Sequence, residues 1–359
     1  MKILTVFGTR PEAIKLYPVL IELNMRKIEN EICVTSQQKD LLFDTLSSLN
    51  IEPEYTLEKS AEINPAQVLG EMIKSLGGVM ERGTYSLVLI QGDTASAYAA
   101  AVAAFNLKIP IAHIEAGLRT YDIYSPFPEE FYRVSIGKMA AYHFAPTKEA
   151  VKNLVSEGVR KEKIFFVGNT VYDTLDKIES SSLTKKIADW VSEDKLLVLT
   201  THRREGLSHL KKIYRAVNRI TETEQVKILF PCHPNPIIKE AAKAAFSNNE
   251  RVLILPPLKT ADFRYILSHA YAVLTDSGGV EEEAAFYKIP TLVLREKTER
   301  TNELKSGALK LVGVEEERIF LETRKLLRKK RLYNKMKKAN PDCIFTGASG
   351  KICDIIERI

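Results

Sequence analysis

Residues 3–23 read ILTVFGTRPEAIKLYPVLIEL, and they contain the clearest pattern for the architecture that the sequence predicts. Ile3–Phe7 is apolar and rich in β-branched residues, which predicts a buried strand, and a helical pattern follows over Ala13–Leu23. Between them Gly8 permits a tight turn, and Pro11 suits the first turn of a helix. A strand that passes through a glycine turn into a helix is the first half of a βαβ unit.

The same alternation of strand and helix patterns continues along the chain, with helical stretches such as Ala95–Phe105. After Ile3–Phe7, the predicted strands of a first sheet are Ile32–Thr35, Leu87–Ile90, Ile109–Ile114 and His143–Ala145. The predicted strands of a second sheet are Ile164–Val167, Leu196–Leu199, Val226–Pro231, Val252–Leu255, Ala272–Leu274 and Thr291–Leu294. The sequence therefore predicts an α/β protein with two Rossmann-like domains that face each other across a cleft, with a hinge near Gly168.

The bulk composition is that of a globular chain with two cores. A chain of 359 residues is too long for one ordinary hydrophobic core and fits two α/β domains of average size. Its 45% hydrophobic and 27% charged residues exclude a disordered or fibrous class. No apolar run is long enough to cross a bilayer, and the first residues enter a strand without a signal-peptide pattern. We therefore expect a cytoplasmic protein with no membrane partner.

Cysteines and charge give two further expectations. The formal net charge of +6 suits an anionic small molecule, but it is modest and is weak evidence for nucleic-acid binding, so we expect no nucleic-acid partner. We expect the basic run at 325–338, KLLRKKRLYNKMKK, to be a solvated helix face. The apolar residues expected to be buried beneath it are Leu326, Leu327, Leu332 and Met336. The cysteines, which lack metal-ligand spacing and are predicted to be reduced and mostly buried, are Cys33, Cys232, Cys343 and Cys353.

Two cations follow the first predicted strand. Arg10 and Lys15 lie at the start of the first helix and one turn inside it, and cations beside a helix N-terminus predict an anion site. Two surface cations beside a strand-to-helix turn are an equally good interpretation. The turn is not a P-loop, because GxxxxGK[ST] is absent, and no GxGxxG occurs, so the sequence does not support NAD as a cofactor.

Three carboxylates follow strands of the first predicted sheet or lie in the loop beside it, namely Asp93, Glu115 and Glu129. Because ligands of open α/β sheets bind at the carboxyl ends of the strands, these groups are candidates for acid and base roles. Simpler interpretations exist: Asp93 caps a helix that begins at Thr94, and Glu129 satisfies a helix dipole. A salt-bridge network is equally consistent with the sequence, its cations being Arg10, Arg119 and Arg133.

The second half of the chain carries candidates for phosphate binding. His202 begins a His-Arg-Arg stretch after a predicted strand, which indicates phosphate contacts, and His233 follows another strand. The most specific pattern is a strand that runs into Asp276-Ser277-Gly278-Gly279 and then a helix, because bare N–H groups at a helix N-terminus can hold a diphosphate. Glu283 lies one turn further on and can bind ribose hydroxyls. The simpler alternative is a glycine-rich turn capped by Ser277.

Ten motifs follow one another along the chain: GTRPEAIK, QGDT, HIEAGLRT, SPFPEE with Arg133, HFAPT, GNTVYDTL, HRRE, DSGG with EEA, TER and GALKLVG. Any one motif is common, but the ordered set is specific and runs from Gly8 to Gly313, so it covers nearly the whole chain. In this order the motifs resemble those of the non-hydrolysing UDP-N-acetylglucosamine 2-epimerases.

The resemblance implies a fold, an assembly and a reaction. The fold is a GT-B-like pair of Rossmann-like domains: residues 1–167 with the catalytic carboxylates, residues 168–340 binding UDP, and residues 341–359 forming a helix that returns to the first domain. Such enzymes are homodimers that act on a UDP-sugar and need no metal or NAD. Their reaction removes the C2 proton of UDP-N-acetylglucosamine and eliminates UDP to give an enzyme-bound 2-acetamidoglucal. UDP then re-adds, and C2 is inverted to give UDP-N-acetylmannosamine.

The resemblance also carries over residue by residue. Asp93, Glu115 and Glu129 become the acid and base candidates, with the base itself unassigned. Arg10, Lys15 and His202 would hold and polarise the diphosphate. The remaining substrate-binding candidates are Arg133, His233, Ser277, Gly278, Gly279, Glu283 and Arg300.

Some positions depart from the family pattern and leave alternatives open. Ser36-Gln37-Gln38 replaces the family's GQH, and Asp40 and Ala66 stand at two further positions of a site where a second substrate molecule activates many bacterial members. Activation and the exact acetamido sugar are therefore left open. The competing functions are an epimerase of another UDP-2-acetamido sugar (a uronic acid or a 6-deoxy sugar), a hydrolysing relative that releases ManNAc and UDP, a GT-B glycosyltransferase, and a non-catalytic UDP-sugar sensor.

Overall fold

The computed structural model describes residues 1–35, 39–58, 64–175, 181–201, 209–298, 300–339, 341 and 344–359. The chain divides into two compact units, a first unit of Met1–Thr174 with Phe345–Ile359 and a second unit of Leu175–Ile344. Both unit boundaries lie later in the chain than the predicted domain boundaries at 167/168 and 340/341. The short 3-10 helix Thr170–Thr174 packs on the first helix of the chain, and Phe345 packs on Phe166 with ring centroids 5.6 Å apart.

The first unit is built on a parallel sheet of seven strands. They are β1 (Lys2–Phe7), β2 (Glu29–Val34), β3 (Tyr55–Thr56), β4 (Leu87–Gln91), β5 (Ile111–Ile114), β6 (Tyr142–Ala145) and β7 (Ile164–Phe166). The spatial order is β3-β2-β1-β4-β5-β6-β7. The order reverses direction between β1 and β4, so the carboxyl ends of these two strands flank the crevice in which open α/β sheets bind ligands.

Six helices connect these strands: α1 (Arg10–Met25), α2 (Lys39–Ser48), α3 (Pro65–Arg82), α4 (Ala95–Asn106), α5 (Glu129–Met139) and α6 (Lys148–Ser156). In α1 the apolar residues Ala13, Leu16, Leu20 and Leu23 recur at helical spacing and are buried, as the sequence pattern predicts. They pack with Ile3, Phe7 and Val34 of the central strands in the core of the unit. The β1–α1 pattern therefore forms as predicted, with the helix starting earlier, at Arg10.

Strand β7 corrects the predicted division of strands between the sheets. The sequence predicts Ile164–Val167 as the first strand of the second sheet, but β7 pairs in parallel with β6, with Phe144 opposite Phe165. The Phe144 and Phe165 rings pack 5.8 Å apart in the core of the first unit. The prediction is wrong because apolar alternation indicates that a strand exists but not which strand it pairs with.

The second unit repeats the architecture with a parallel sheet of six strands. They are β8 (Lys195–Thr200), β9 (Val226–Pro231), β10 (Val252–Leu255), β11 (Ala272–Thr275), β12 (Thr291–Val293) and β13 (Leu309–Leu311). Its helices are α7 (Ser182–Val191), α8 (Leu210–Thr223), α9 (Pro236–Phe246), α10 (Thr260–Ser268), α11 (Gly278–Phe286), α12 (Thr301–Ser306), α13 (Glu316–Arg328) and α14 (Lys330–Lys337). The order β10-β9-β8-β11-β12-β13 reverses direction between β8 and β11.

The last helix, α15 (Ala348–Ile356), belongs to the first unit and packs on α1. Its buried face joins the first-unit core through Ile352, Cys353 and Ile356. At its start, Asp173 accepts N–H from Gly347 at 2.6 Å and from Ser349 at 2.8 Å. The predicted return of the C-terminal helix to the first domain is confirmed.

The basic run at 325–338 forms the end of α13 and the whole of α14. Leu326, Leu327 and Met336 are buried, Leu332 is partly buried, and most of the cations between them are exposed. Cys33, Cys232 and Cys353 are free and buried, whereas Cys343 lies outside the described residues. Within the described parts of the chain, no helix is both long and apolar enough to span a membrane.

Candidate functional site

The carboxyl ends of β1 and β4 carry two loops that are joined by one buried carboxylate. Glu12 Oε2 accepts hydrogen bonds from the N–H groups of Gly8 and Thr9 at 3.1 and 2.8 Å and from Thr9 Oγ1 at 2.7 Å. Glu12 Oε1 accepts a hydrogen bond from Thr94 Oγ1 at 2.7 Å. Burial raises the pKa of Glu12 to about 7, although its hydrogen bonds oppose this rise. Glu12 therefore fixes the β1–α1 turn against the β4–α4 turn.

Position 8 requires glycine because two side-chain hydroxyls lie too close to it to leave room for a Cβ. A Cβ at this position would lie 2.0 Å from Thr35 Oγ1 and 2.1 Å from Ser96 Oγ, and these two hydroxyls are themselves 2.6 Å apart. The helix that follows begins at Arg10, which is partly exposed. The predicted tight turn is present, and it presents Arg10 at the N-terminus of α1.

Lys15 and Glu115 form a buried ion pair at this crevice. Lys15 Nζ lies 2.9 Å from Glu115 Oε1 and 2.8 Å from Oε2, and each side chain is 8% exposed. Gln91, the last residue of β4, also donates a hydrogen bond to Glu115 Oε2. A carboxylate with so little exposure requires such partners, because burial of an unpaired charge is costly. Glu115 is thus held in one orientation by Lys15 and Gln91.

The backbone at Glu115 is also unusual. Its φ is +64°, in the left-handed region that residues other than glycine seldom adopt. Two residues later, Gly117 has φ +89°, and a Cβ there would lie 2.4 Å from the carbonyl oxygen of Ala150. The chain therefore turns sharply after β5, and this turn directs the Glu115 side chain towards Lys15.

Asp93 is held by Arg133 and does not cap a helix. Thr94 is the N-cap of α4, its Oγ1 accepting the N–H of Ala97 at 3.1 Å, so the prediction that Asp93 caps the helix is wrong. Arg133 donates to Asp93 Oδ2 from Nε at 2.8 Å and also from Nη2. The physical reason is that Asp93 precedes the cap position and faces α5, where a buried guanidinium provides stronger donors than a backbone N–H.

The same guanidinium contacts a second carboxylate. Arg133 Nη1 donates to Glu130 Oε2 at 3.0 Å, and Glu130 Oε1 accepts the N–H groups of Thr120 at 2.8 Å and Tyr121 at 3.0 Å. Glu130 is fully buried. Of the predicted salt-bridge network, Arg133 therefore pairs with Asp93, and Lys15, which the prediction did not include, pairs with Glu115.

Arg119 lies outside this carboxylate group. Its Nε and Nη2 donate to the two carboxylate oxygens of Glu157 at 2.6 and 2.8 Å, and its Nη1 donates to the carbonyl of Leu118 at 2.7 Å. From the same side, Asn153 Nδ2 donates to the carbonyl of Gly117 at 2.9 Å. Arg119 thus anchors the loop after β5 to α6 and is a structural residue.

His113 supports the loop that carries Asp93. It is buried on β5, and its Nε2 donates to the carbonyl oxygen of Gly92 at 2.7 Å. Burial lowers the pKa of His113 to about 3, so the imidazole is neutral at physiological pH. Gly92 has φ +70°, and a Cβ placed on it would lie 3.6 Å from Glu115 Oε2. Asp93 and Glu115 therefore lie on adjoining loops.

Glu129 is the first residue of α5 and is partly exposed. It is next in sequence to Glu130, and its charge acts on the phenol of Tyr132, whose pKa is raised mainly by burial. The structure therefore places Glu129 one residue from the network that holds Asp93. All three candidate carboxylates of the first unit belong to the same end of its sheet.

In the second unit the predicted phosphate loop follows β11. Ser277 is the N-cap residue of α11, and Thr275 Oγ1 accepts its N–H at 2.9 Å. Thr275 Oγ1 also lies 2.5 Å from Thr200 Oγ1, which ties the ends of β8 and β11 together. A Cβ at Gly279 would meet no heavy atom within 4 Å, so packing inside the protein does not require glycine there. A close external approach to the helix N-terminus is a physical reason for it.

Further along α11, the three glutamates have different surroundings. Glu281 is buried and accepts a hydrogen bond from Thr298 Oγ1 at 2.8 Å, and Glu282 is buried with Arg300 Nε 2.8 Å from its Oε1. Glu283 is only partly buried. Of the two predicted groups on this side, Arg300 is thus engaged with Glu282, and Glu283 remains the more accessible acid.

The two candidate histidines of the second unit, His202 and His233, have different outcomes. His233 follows β9 and is partly exposed, and its Nδ1 accepts the N–H of Asn235 at 3.2 Å. Asn235 in turn caps α9. His202 lies outside the described residues, so its predicted role rests on sequence alone. Among the described residues, no group of three or more His, Cys, Asp or Glu side chains is arranged to hold a metal ion.

Sequence reasoning missed Glu12, Gln91, His113 and Glu130. A signal existed for Glu12, because Thr9 and Glu12 have the spacing of a capping box. Glu130 had the weaker signal of a second acid in the first turn of α5. Gln91 and His113 carry no sequence signal. Each is a polar residue near the end of an apolar strand, and its partner becomes clear only when the neighbouring strand is known.

Comparison with known proteins gives one family over almost the whole chain. A family model described as UDP-N-acetylglucosamine 2-epimerase matches residues 22–357. The UDP-N-acetylglucosamine 2-epimerase of Bacillus subtilis (strain 168) is 39% identical over 344 residues, which cover 95% of this chain and 90% of that protein.

Solved structures give the same result. UDP-GlcNAc 2-epimerase from Neisseria meningitidis, bound to UDP-GlcNAc, has a TM-score of 0.95 at 34% identity, with both chains fully covered. The Methanocaldococcus jannaschii UDP-GlcNAc 2-epimerase in complex with UDP-GlcNAc and UDP has a TM-score of 0.90 at 31% identity, again with both chains fully covered. At these identities the likeness extends beyond the fold.

Proposed function

This chain belongs to the UDP-N-acetylglucosamine 2-epimerase family, and on that premise we propose that it inverts C2 of UDP-N-acetylglucosamine to give UDP-N-acetylmannosamine. The reaction is reversible and belongs to the isomerase class. The observation that carries the proposal is the set of carboxylates held by cations at the crevice of the first sheet, with Lys15 on Glu115 and Arg133 on Asp93. Proton transfer at carbon requires side chains of this kind in fixed positions.

We assign the proton chemistry to Asp93, Glu115 and Glu129. One carboxylate removes the C2 proton, and the electron pair of the C2–H bond forms a C1–C2 double bond while the C1–oxygen bond breaks. UDP leaves with the electron pair of the broken C1–oxygen bond, and 2-acetamidoglucal remains bound. In the return step a diphosphate oxygen attacks C1, and a proton is delivered to the other face of C2 by an acid. General acid and base groups on opposite faces account for the inversion.

We assign the diphosphate to the two sets of residues that the sequence predicts for it, the hydrogen-bond donors at the start of α11 and a set of cations. Ser277, Gly278 and Gly279 at the N-terminus of α11 supply a hydroxyl, bare N–H groups and the positive end of a helix dipole, which suit a diphosphate. Glu283 is the proposed ribose acceptor. Arg10, Lys15 and His202 would stabilise the charge that develops on UDP as it departs, the largest demand that elimination makes. The remaining proposed substrate contacts are Arg133, His233 and Arg300.

We further propose that the enzyme is a homodimer. Support comes from an aromatic group on the outer side of α4 and α5, where the Tyr98 and Tyr132 rings stack with centroids 4.7 Å apart and Phe131 is 46% exposed. Exposed aromatic clusters of this kind are typical of interfaces. Sedimentation of the wild type and of Phe131→Ser checks the assembly, and a monomeric wild type would contradict it.

The test of the function is product identity by proton and phosphorus NMR with UDP-N-acetylglucosamine as the only added substrate. The proposal predicts an equilibrium mixture of UDP-N-acetylglucosamine and UDP-N-acetylmannosamine, approached from either side. Free UDP and N-acetylmannosamine as main products would instead indicate hydrolysis. No change in either sugar, with or without a trace of product, would overturn the assignment, and other UDP-2-acetamido sugars would then be examined by the same spectra.

A further inference from the structure

Glu130 is a buried carboxylate that the proposed reaction does not use. It is fully buried in the first turn of α5, and its two oxygens accept three hydrogen bonds from within the protein. Oε1 accepts the N–H groups of Thr120 and Tyr121, and Oε2 accepts Nη1–H of Arg133. A fully buried charge is costly, and a side chain so enclosed cannot reach a substrate, so its effect must be exerted through these partners.

The first of these effects is on Asp93. Arg133 is 5% exposed and donates to Glu130 with Nη1 while Nε and Nη2 donate to Asp93 Oδ2. Because a guanidinium is planar and rigid, fixing one edge on Glu130 fixes the direction of the other edge. Asp93 is the more accessible partner, with 27% of its side chain exposed. The position of the Asp93 carboxylate therefore depends on Glu130, because Glu130 fixes the Arg133 guanidinium that binds Asp93.

The second effect is on the loop that follows β5. Glu130 holds the N–H groups of Thr120 and Tyr121, and this loop begins with Glu115. Glu129 directly precedes Glu130 in the first turn of α5. The Glu130 carboxylate is thus linked to Asp93 through Arg133 and to the loop that begins with Glu115 through Thr120 and Tyr121, and Glu129 is its neighbour in sequence.

From this geometry we infer that Glu130 is a positioning residue, which sets the mutual placement of the three candidate catalytic carboxylates and takes no part in proton transfer. The inference rests on the proposed function and deepens it. Misplacement of a reacting group by about 1 Å can reduce a rate on the order of 100-fold. Loss of Glu130 should accordingly reduce turnover while substrate and UDP still bind.

The test uses Glu130→Gln in the full chain. The amide oxygen of glutamine can still accept from Thr120 and Tyr121, but its NH2 group then faces the Nη1 donor of Arg133, and the Arg133 contact is lost. We expect kcat to fall roughly 10-fold to 100-fold, with the Kd of UDP within about threefold of wild type and a smaller change in KM than in kcat, because Arg133 is itself a proposed substrate contact. Glu31→Gln is the matched control. Glu31 also accepts hydrogen bonds from a lysine and two tyrosines, Lys2, Tyr55 and Tyr85, but Lys2 and Glu31 belong to β1 and β2 away from the carboxyl ends.

A double-mutant cycle separates positioning from a general loss of order. If Glu130 acts through Arg133 on Asp93, then Glu130→Gln added to Asp93→Asn should reduce kcat less than about twofold further, because the group it positions is already gone. Multiplicative effects in the cycle, a kcat within about twofold of wild type for Glu130→Gln, or a loss confined to KM would each overturn the inference.

A crystal structure of Glu130→Gln gives a readout that does not depend on turnover. The inference predicts that the Arg133 guanidinium rotates and that the Asp93 carboxylate moves with it. An unchanged Arg133–Asp93 pair would refute the positioning role. If the wild type fails to act on UDP-N-acetylglucosamine, the proposed function fails, and this structure still decides whether Glu130 places Asp93.

Discussion

Replacement of Glu12 by glutamine tests how the crevice of the first sheet is held together. Glu12 Oε2 accepts the N–H groups of Gly8 and Thr9, and Oε1 accepts the hydroxyl of Thr94. A glutamine can keep this geometry, because its amide oxygen can take the place of Oε2 and its NH2 group can donate to Thr94 Oγ1. The substitution therefore removes a titratable charge and leaves the side chain in place.

The magnitude follows from the pKa of Glu12. Burial raises this pKa from 4.5 to about 7, so the folded chain binds a proton here more tightly than the unfolded chain does. The resulting stability is fully present below about pH 4.5 and is lost as the pH rises through about 7. At 1.36 kcal/mol per pKa unit, the loss is about 3 kcal/mol. Since glutamine does not titrate, the free energy of unfolding of Glu12→Gln relative to wild type should rise by about 3 kcal/mol between pH 4.5 and pH 8.

The assay is hydrogen exchange read by mass spectrometry on peptides from β1 and α1, corrected for intrinsic exchange at each pH. The single tryptophan, Trp190, lies in α7 of the second unit, so its fluorescence in urea is a probe of that unit and serves as an internal control. Glu22→Gln is the matched variant on α1, where a partly exposed carboxylate pairs with Arg26. A difference between Glu12→Gln and wild type that stays flat from pH 4.5 to pH 8 would refute the reasoning, since it would mean that the hydrogen-bond donors keep Glu12 ionised throughout.

Three further substitutions have expected outcomes. Gly117→Ala should lower the free energy of unfolding by about 2 kcal/mol or more, because φ is +89° and a Cβ would lie 2.4 Å from the Ala150 carbonyl; a change under about 0.5 kcal/mol in urea would contradict this. Lys15→Met should reduce kcat about 100-fold or more, because Glu115 loses the cation 2.8 Å away; a kcat within threefold of wild type would argue against the pair. Gly279→Ala should change stability by less than about 1 kcal/mol, since its Cβ meets no heavy atom within 4 Å, yet weaken UDP binding at least about tenfold. An unchanged Kd in calorimetry would remove the start of α11 from the diphosphate site.

Much of the fold could be predicted from the sequence because strands and helices alternate with clear periods. Val226–Pro231 and Val252–Leu255 form strands with the predicted bounds. The strands that escaped prediction, Tyr55–Thr56 and Leu309–Leu311, are too short to show a period. The assignment of Ile164–Val167 to the wrong sheet has a different cause, since partner choice depends on tertiary packing of Phe165.

The candidate site could be predicted in its residue types but not in its pairings. Position after a strand was enough to select Asp93 and Glu115, because carboxyl ends of parallel strands meet at one edge. The contacts that hold them, Arg133 on Asp93 and Lys15 on Glu115, join residues 40 and 100 positions apart in the sequence. The role of Glu130 cannot be predicted from the sequence for the same reason: its burial and its three donors arise only when the loop after β5 folds over α5.

The most direct test of the central claim, that carboxylates of the first unit make and break the C2–H bond, is proton NMR of wild type and Asp93→Asn with UDP-N-acetylglucosamine in heavy water. We expect wild type to place deuterium at C2 of both epimers, and Asp93→Asn to exchange this position at least about 100-fold more slowly while it still binds UDP. Epimers that form with hydrogen retained at C2, or an Asp93→Asn variant that exchanges C2 at the wild-type rate, would contradict it.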